Sequence, residues 1–83
     1  MVALGDDMRY EVMKYENIRS LRIDRGFTQD QIAKILGISQ NTYSQYENGL
    51  RQLPLDFLIA LAKLYKTSTD YILGLTDNIK PYN

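Results

Sequence analysis

The sequence has 83 residues, enough for one small domain, and its formal net charge at pH 7 is zero. It contains neither cysteine nor histidine, which excludes disulfides and removes the usual metal ligand and the usual general base of an enzyme. No apolar run reaches the length of a membrane span and no signal peptide is visible, so we expect a cytoplasmic domain without metal or cofactor.

The N-terminal segment combines an irregular start with a helical pattern. Residues 1–7 lack periodicity and are expected to be a disordered start or a cloning remnant, with Met8 as an alternative natural start. From there apolar residues recur at helical spacing. The pattern allows one helix over about 9–25, or a short extra helix followed by another near 15–25 that Asn17 caps. We favour the continuous helix.

The next predicted helix begins at Thr28, a residue type that caps helices through its hydroxyl. Gln31 stands three residues later, where a capping box needs Glu or Gln. Ile32 and Leu36 lie one helical turn apart and define the apolar face. Gly37 then ends the helix, because the left-handed conformation common at helix ends is cheap for glycine.

Ser39 is expected to cap a third helix that runs to about Asn48. At 100° per residue its polar side chains fall within an arc of about 140°, with Tyr43 and Tyr46 on the opposite side. A carboxamide presents a donor and an acceptor on one flat group, which matches the N6/N7 edge of adenine in the major groove. A merely solvated face would more often carry Glu and Lys. The polar arc instead contains only amides and a hydroxyl: Gln40, Asn41, Ser44, Gln45 and Asn48.

Two further helices are predicted after the loop that follows Gly49. The fourth has Pro54 in its first turn and ends near Tyr65. The fifth is short, is capped by Ser68 and ends at Gly74. The remaining C-terminal residues contain a proline and are expected to form an irregular tail.

The predicted core takes one apolar face from each helix and the anchors that follow them. On the fourth helix, the face expected to point inward consists of Leu55, Leu58, Leu61, Ala62 and Tyr65. The expected core is Ile18, Leu21, Phe27, Ile32, Ala33, Leu36, Ile38, Tyr43, Leu58, Leu61, Ala62, Ile72 and Leu73.

A surplus of apolar residues remains on the fourth helix. Phe57, Ala60 and Leu64 lie together, roughly opposite the core face, and such a stripe usually contacts something. We expect it to meet a second subunit, together with Tyr71 and Leu75, while the N-terminal segment packs within its own chain. The alternative is that the N-terminal segment covers the stripe.

Several motifs together resemble one known family: Thr28-Gln29, Ile32-Ala33, Leu36-Gly37-Ile38-Ser39, Thr42, Gln45-Tyr46-Glu47-Asn48-Gly49 and Asp70-Tyr71-Ile72-Leu73-Gly74. The stretch 18–74 resembles the Cro/C1-type (XRE, lambda-repressor-like) helix-turn-helix domain. This resemblance implies an all-α, five-helix bundle containing a helix-turn-helix, preceded by an N-terminal helical extension over 1–17 and followed by a tail over 75–83. The chain departs from the family pattern at Tyr43, often Ile or Val, at Lys66, often Gly, and at Leu53-Pro54, which replace a Ser-type cap.

The resemblance also implies roles for individual residues. The expected base contacts are Gln40, Asn41, Thr42, Ser44 and Gln45, and the expected phosphate contacts are Gln29, Asn48, Gly49 and Arg51. In the resembled domains the residue matching Gln29 also braces the first residue of the recognition helix, here Gln40. The resemblance further implies an ion pair between Arg22 and Glu47, which we interpret as structural.

The leading function is therefore a sequence-specific, double-stranded DNA-binding transcriptional regulator, acting as a homodimer on a palindromic operator. Over 18–74 seven basic residues face five acidic ones, so non-specific affinity for DNA is expected to be weak. This supports the alternative of an antitoxin or adaptor that acts mainly through a protein partner. An enzyme is disfavoured, because no carboxylate pair has a spacing that forms a site.

Overall fold

The computed structural model describes residues 15–81. In that range the chain forms five helices and no strand: α1 (Glu16–Asp24), α2 (Gln29–Leu36), α3 (Gln40–Glu47), α4 (Leu55–Leu64) and α5 (Thr69–Ile72). The all-α, five-helix prediction is confirmed. None of these helices has the length and apolar content needed to span a membrane.

The start of α1 differs from the favoured prediction. Tyr15 has an extended backbone, with φ −98° and ψ 95°, so the helix starts at Glu16 and is not continuous with the preceding residues. Asn17 lies inside the first turn and does not cap it; its Nδ2 donates to the carbonyl oxygen of Tyr71 at 2.6 Å. A helical segment before Tyr15 was also predicted, and it lies outside the described residues.

The predicted side-chain caps are present at three helix starts. The Thr28 hydroxyl accepts from the Gln31 amide at 3.1 Å, and the Gln31 side chain accepts from the Thr28 amide at 2.8 Å, which completes the capping box. Ser39 and Ser68 accept from the third residue of α3 and of α5 in the same way. These short bonds satisfy amides that a helix start leaves unpaired. Of the three capping residues, Ser39 lies in the short turn between α2 and α3.

The core confirms most of the prediction and extends it. Tyr65, expected on the inward face of the fourth helix, is 1 % exposed, and Tyr46, absent from the predicted core, is 6 % exposed. Phe27, Leu36, Ile38 and Leu73 are only partly buried and pack against the core from its edge. The buried set is Ile18, Leu21, Ile32, Ala33, Tyr43, Tyr46, Leu53, Leu58, Leu61, Ala62, Tyr65 and Ile72.

On α4 the prediction for Leu55 was wrong. Leu55 directly follows the N-cap Pro54 and is 70 % exposed, whereas Leu58, one turn along, is buried. The core instead draws on the other flank of the helix. There Phe57 is half-buried, and its ring centroid lies 6.0 Å from that of Tyr46 in an edge-on arrangement. Phe57 is therefore shared between the core and the surface.

The end of α4 carries a local strain. Lys66 has φ 54°, the one positive φ at a non-glycine residue among the described positions. Its amide bonds the carbonyl oxygen of Lys63 at 3.3 Å, and the next amide, of Thr67, bonds that of Ala62 at 2.9 Å. This left-handed position closes the helix and is normally the place of a glycine, because a Cβ there crowds the backbone.

Replacing Lys66 by glycine should stabilise the fold. The left-handed conformation costs a non-glycine residue about 1–2 kcal/mol, part of which is offset because glycine makes the unfolded chain more flexible. We expect Lys66→Gly to raise the free energy of unfolding by roughly 0.5–1 kcal/mol in urea titrations. Lys63→Gly, an exposed position inside α4, is the control and should lower it by about 1 kcal/mol. A Lys66→Gly protein no more stable than the wild type would contradict the strain.

Candidate nucleic-acid interface

The polar arc of α3 faces outward. Tyr43 and Tyr46 on the opposite side are 0 % and 6 % exposed and anchor the helix to the core. The polar face on the other side of the helix is therefore turned away from the core. Gln40, Asn41 and Asn48 are exposed, and Thr42, Ser44 and Gln45 are partly exposed.

The polar groups on this face differ in how far they are already engaged. The Asn48 Nδ2 donates to the Ser44 hydroxyl at 3.2 Å, and the Ser39 hydroxyl donates to that of Thr42 at 2.9 Å. Three carboxamides make no side-chain hydrogen bond to any residue in 15–81 and are free to bind a ligand: Gln40, Asn41 and Gln45.

The structure brings Arg22 and Glu47 together in a two-pronged ion pair. The Arg22 Nε lies 2.9 Å from Glu47 Oε2 and its Nη2 lies 3.0 Å from Oε1. The third nitrogen, Nη1, donates to the carbonyl oxygen of Phe27 at 3.0 Å. The Glu47 side chain is 2 % exposed and that of Arg22 is 12 % exposed, so water screens the pair little. The pair ties α3 to α1 and to the turn before α2.

Gln29 adds a third element to this carboxylate. Its Nε2 donates to Glu47 Oε1 at 3.3 Å, so the first residue of α2 is linked to the last residue of α3. The resemblance implied a brace on Gln40, whereas in this structure the Gln29 side chain bonds Glu47. One hydrogen of its amide nitrogen donates to this buried acceptor, and the brace on Gln40 stays a prediction.

The charges around Glu47 decide its protonation. Burial alone would raise the pKa of Glu47, but hydrogen bonds from Arg22 and Gln29, the nearby Tyr43 hydroxyl and the Arg22 charge lower it below the ordinary value of 4.5. The hydrogen bond to Glu47 raises the pKa of Arg22. The carboxylate is therefore ionised at neutral pH.

Two buried tyrosine hydroxyls lie beside this pair. Neither the Tyr43 nor the Tyr65 hydroxyl has a hydrogen-bond partner of normal geometry, although Tyr43 is close enough to Glu47 for the two groups to shift each other's pKa. Burial, and then the neighbouring Glu47, raises the pKa of Tyr43 far above its usual range. Burial raises the pKa of Tyr65 to about 12. Both hydroxyls stay protonated in the folded protein.

Most of the residues expected to contact DNA phosphate lie in the segment after α3. Asn48 and Arg51 are exposed, and Gly49 turns the chain with φ 73°. Two other cations near the surface are engaged: Lys34 pairs with Asp30 at 3.0 Å, and the Arg25 Nη2 donates to the carbonyl oxygen at the end of α4 at 2.9 Å. Arg51 is therefore the main candidate cation beside α3.

The residues predicted for a subunit interface do not form one free stripe. Phe57, Leu64 and Tyr71 are partly buried against the core, whereas Ala60 and Leu75 are exposed. The large exposed apolar side chains of α4 are Leu55, at 70 %, and Ile59, at 40 %, one turn apart on another flank. In the described range no cluster of acidic, histidine or cysteine side chains is arranged to hold a metal ion.

Sequence reasoning missed three contacts of this region. Asn17 binds the backbone of α5, Arg25 binds the last turn of α4, and Gln29 binds Glu47. Each links residues at least 18 positions apart in the sequence, so no local pattern marks it. The family resemblance did mark Gln29 at the start of α2, but it implied Gln40 as the partner and not Glu47.

Comparisons with known proteins found a matching family model and several similar proteins. A family model described as helix-turn-helix matches residues 18–72. An uncharacterised HTH-type transcriptional regulator of Bacillus subtilis, YobD, is 44 % identical over 69 residues, covering 83 % of this chain and 62 % of the relative. The HTH-type transcriptional regulator ImmR of the same organism is 39 % identical over 59 residues, covering 71 % and 46 %.

A third relative has a different description. The antitoxin PezA of Streptococcus pneumoniae is 33 % identical over 66 residues, covering 80 % of this chain and 42 % of the relative. The chain thus matches about half the length of these relatives, and the remainder of each relative has no counterpart in the match.

The buried carboxylate predicts a specific pH dependence. Since the folded-state pKa of Glu47 is lowered, its stabilising effect is complete above the unfolded value of 4.5 and is lost as the pH falls through the folded value. We expect Glu47→Gln to lower the free energy of unfolding by about 3–5 kcal/mol at neutral pH, because Arg22 loses its counter-charge.

The difference between wild type and Glu47→Gln should therefore stay constant from pH 7 to about 4.5 and shrink as the pH falls further to about 3, measured by urea titration at each pH. Asp30→Asn is the control, since its pair with Lys34 is exposed and should add little at any pH. A difference that stays constant over the whole range would contradict the lowered pKa.

Proposed function

This chain belongs to the Cro/C1-type helix-turn-helix family, and from that premise we propose that it is a sequence-specific regulator of transcription that binds double-stranded DNA. The observation that carries the proposal is the outward face of α3, where three unengaged carboxamides stand on a helix anchored from behind. The family comprises transcriptional regulators and not enzymes. We propose that this protein acts in the cytoplasm.

In the proposed complex α3 lies in the major groove. Gln40 and Asn41 stand at its N-terminal end, the part of a recognition helix that contacts base edges, and Thr42, Ser44 and Gln45 follow along the groove. Contacts to phosphate set the register of the complex without reading sequence. The proposed phosphate contacts are Gln29, Asn48, Gly49 and Arg51.

We further propose that two copies bind a palindromic operator. Two half-sites one turn apart require recognition helices separated by about 34 Å, which a two-fold dimer provides. The proposed interface uses α4 and α5, through the predicted residues Phe57, Ala60, Leu64, Tyr71 and Leu75. Leu55 and Ile59 offer a second, more exposed flank of α4.

A second candidate function is an antitoxin or adaptor that acts mainly through a protein partner. Two observations favour it: a relative described as an antitoxin, and a net charge of zero, which is unusual for a protein held to DNA by phosphate contacts. A gel-shift screen against a random duplex pool separates the two functions. Retention of a subset of duplexes supports the regulator, and no retention supports the adaptor.

Substitutions on the two kinds of contact should have different effects. Gln40→Ala or Gln45→Ala should cost about 1–3 kcal/mol on the selected operator and relax specificity at one or two positions of each half-site. Arg51→Ala should weaken all duplexes alike and reduce the salt slope by about one unit. Binding of the selected site by the Gln40/Gln45 double mutant with unchanged affinity would show that α3 is not the recognition helix.

Sedimentation of matched variants distinguishes which flank of α4 forms the dimer interface. If the predicted stripe is the interface, Leu64→Glu dissociates the dimer and Leu55→Glu does not. Because Leu64 is partly buried, Ala60→Glu on the same flank tests the interface with less risk to the fold. A wild type that stays monomeric at tens of micromolar would contradict the dimer, and dissociation by Leu55→Glu alone would move the interface to the Leu55–Ile59 flank.

A further inference from the structure

The chemistry of α3 restricts which bases it can select. We propose that each operator half-site is A·T-rich at the positions under α3, with adenines bound by the carboxamides of Gln40, Asn41 and Gln45. This inference rests on the proposed function and adds the class of DNA sequence to it. Three observations support it: the residues that α3 lacks, the engagement of its carboxylate, and the freedom of its amides.

α3 carries no basic side chain, which is the commonest partner of guanine. The commonest specific contact to guanine is an Arg or Lys that donates twice to its O6 and N7. None of the eight residues of α3 is basic. The cations of the helix-turn-helix segment 28–51 are Lys34 and Arg51, and Lys34 lies on α2, outside the recognition helix. Arg51 lies beyond the C-terminal end of α3, away from the end expected to enter deepest.

The usual partner of cytosine, a free carboxylate, is also absent from α3. Cytosine is recognised when a carboxylate accepts from its N4 amino group. Glu47 is the acid of α3, and both its oxygens are occupied by Arg22, with Gln29 as a further donor to Oε1. The side chain is 2 % exposed, so it does not reach the groove. Neither base of a G·C pair therefore meets its usual partner on this helix.

The carboxamides of α3 match the hydrogen-bonding edge of adenine, and they are not engaged elsewhere. Adenine presents an acceptor, N7, beside a donor, N6, and one carboxamide satisfies both with its own donor and acceptor. Guanine presents two acceptors there, so a carboxamide can donate to them with its NH2 group but leaves its own oxygen without a partner. Gln40, Asn41 and Gln45 have no hydrogen bond to lose within the described chain. The Thr42 hydroxyl is bonded to Ser39, which leaves its methyl group to contact a thymine methyl.

The charge of the chain makes these base contacts important. With few free cations near α3, phosphate neutralisation contributes little, and the preference for a site over random DNA has to come from the base edges. Each two-pronged contact to adenine is expected to contribute roughly five- to hundred-fold in affinity against the wrong base.

Selection of duplexes from a random pool, followed by base-analogue substitution, tests the proposal. We expect adjacent A·T pairs in each half-site. Replacing a selected adenine by 7-deazaadenine removes the N7 acceptor and should weaken binding about ten-fold at a contacted position, while the same change outside the half-site should have no effect. Gln40→Arg should move the selected base at one position from adenine to guanine.

The outcomes separate this inference from the proposed function. Selection of G·C pairs under α3, or an operator that tolerates 7-deazaadenine at every selected adenine, would overturn direct recognition of adenine and leave DNA binding intact. No enrichment of any duplex would overturn the regulator itself and the inference with it. Loss of the 7-deazaadenine effect in Gln40→Ala or Gln45→Ala would identify which carboxamide contacts which base.

Discussion

The orientation of α3, the helix of the candidate nucleic-acid interface, depends on the carboxylate of Glu47. It lies at the last residue of α3 and receives Arg22 from α1 and Gln29 from the start of α2. The direction of α3 relative to α2 is therefore fixed by hydrogen bonds to one buried charged group and by the packing of Tyr43 and Tyr46. The same contact neutralises Arg22 inside the protein, so that this cation adds little to the field outside.

Whether a structural feature could be predicted depended on how far apart in the sequence its residues lie. The caps at Thr28, Ser39 and Ser68 act over three residues, so a short sequence pattern was sufficient to predict them. The outward arc of α3 followed from helical periodicity. The partner of Gln29 and the exposure of Leu55 did not, because they depend on how helices distant in sequence pack. A helical wheel identifies an apolar flank but does not say which of two flanks the neighbours cover.

The departures from the family pattern have structural costs. Where the family often has an aliphatic residue, Tyr43 buries a hydroxyl with no partner of normal geometry, and Lys66 holds a backbone conformation that glycine adopts more easily. Both positions lie away from the outward face of α3. The fold tolerates these costs because the chain around them is held by the core and by the turns that close α4.

The buried tyrosines make folding visible by absorbance. The sequence has seven tyrosines and no tryptophan, so the near-ultraviolet spectrum belongs to phenol groups alone, apart from two phenylalanines. In the native state Tyr43 and Tyr65 keep their protons at alkaline pH where an unfolded chain would form tyrosinate, because their pKa values are raised above the ordinary 10.0. Tyrosinate absorbs at longer wavelength than tyrosine. An alkaline spectrophotometric titration therefore reports on the burial of Tyr43 and Tyr65 without any added label.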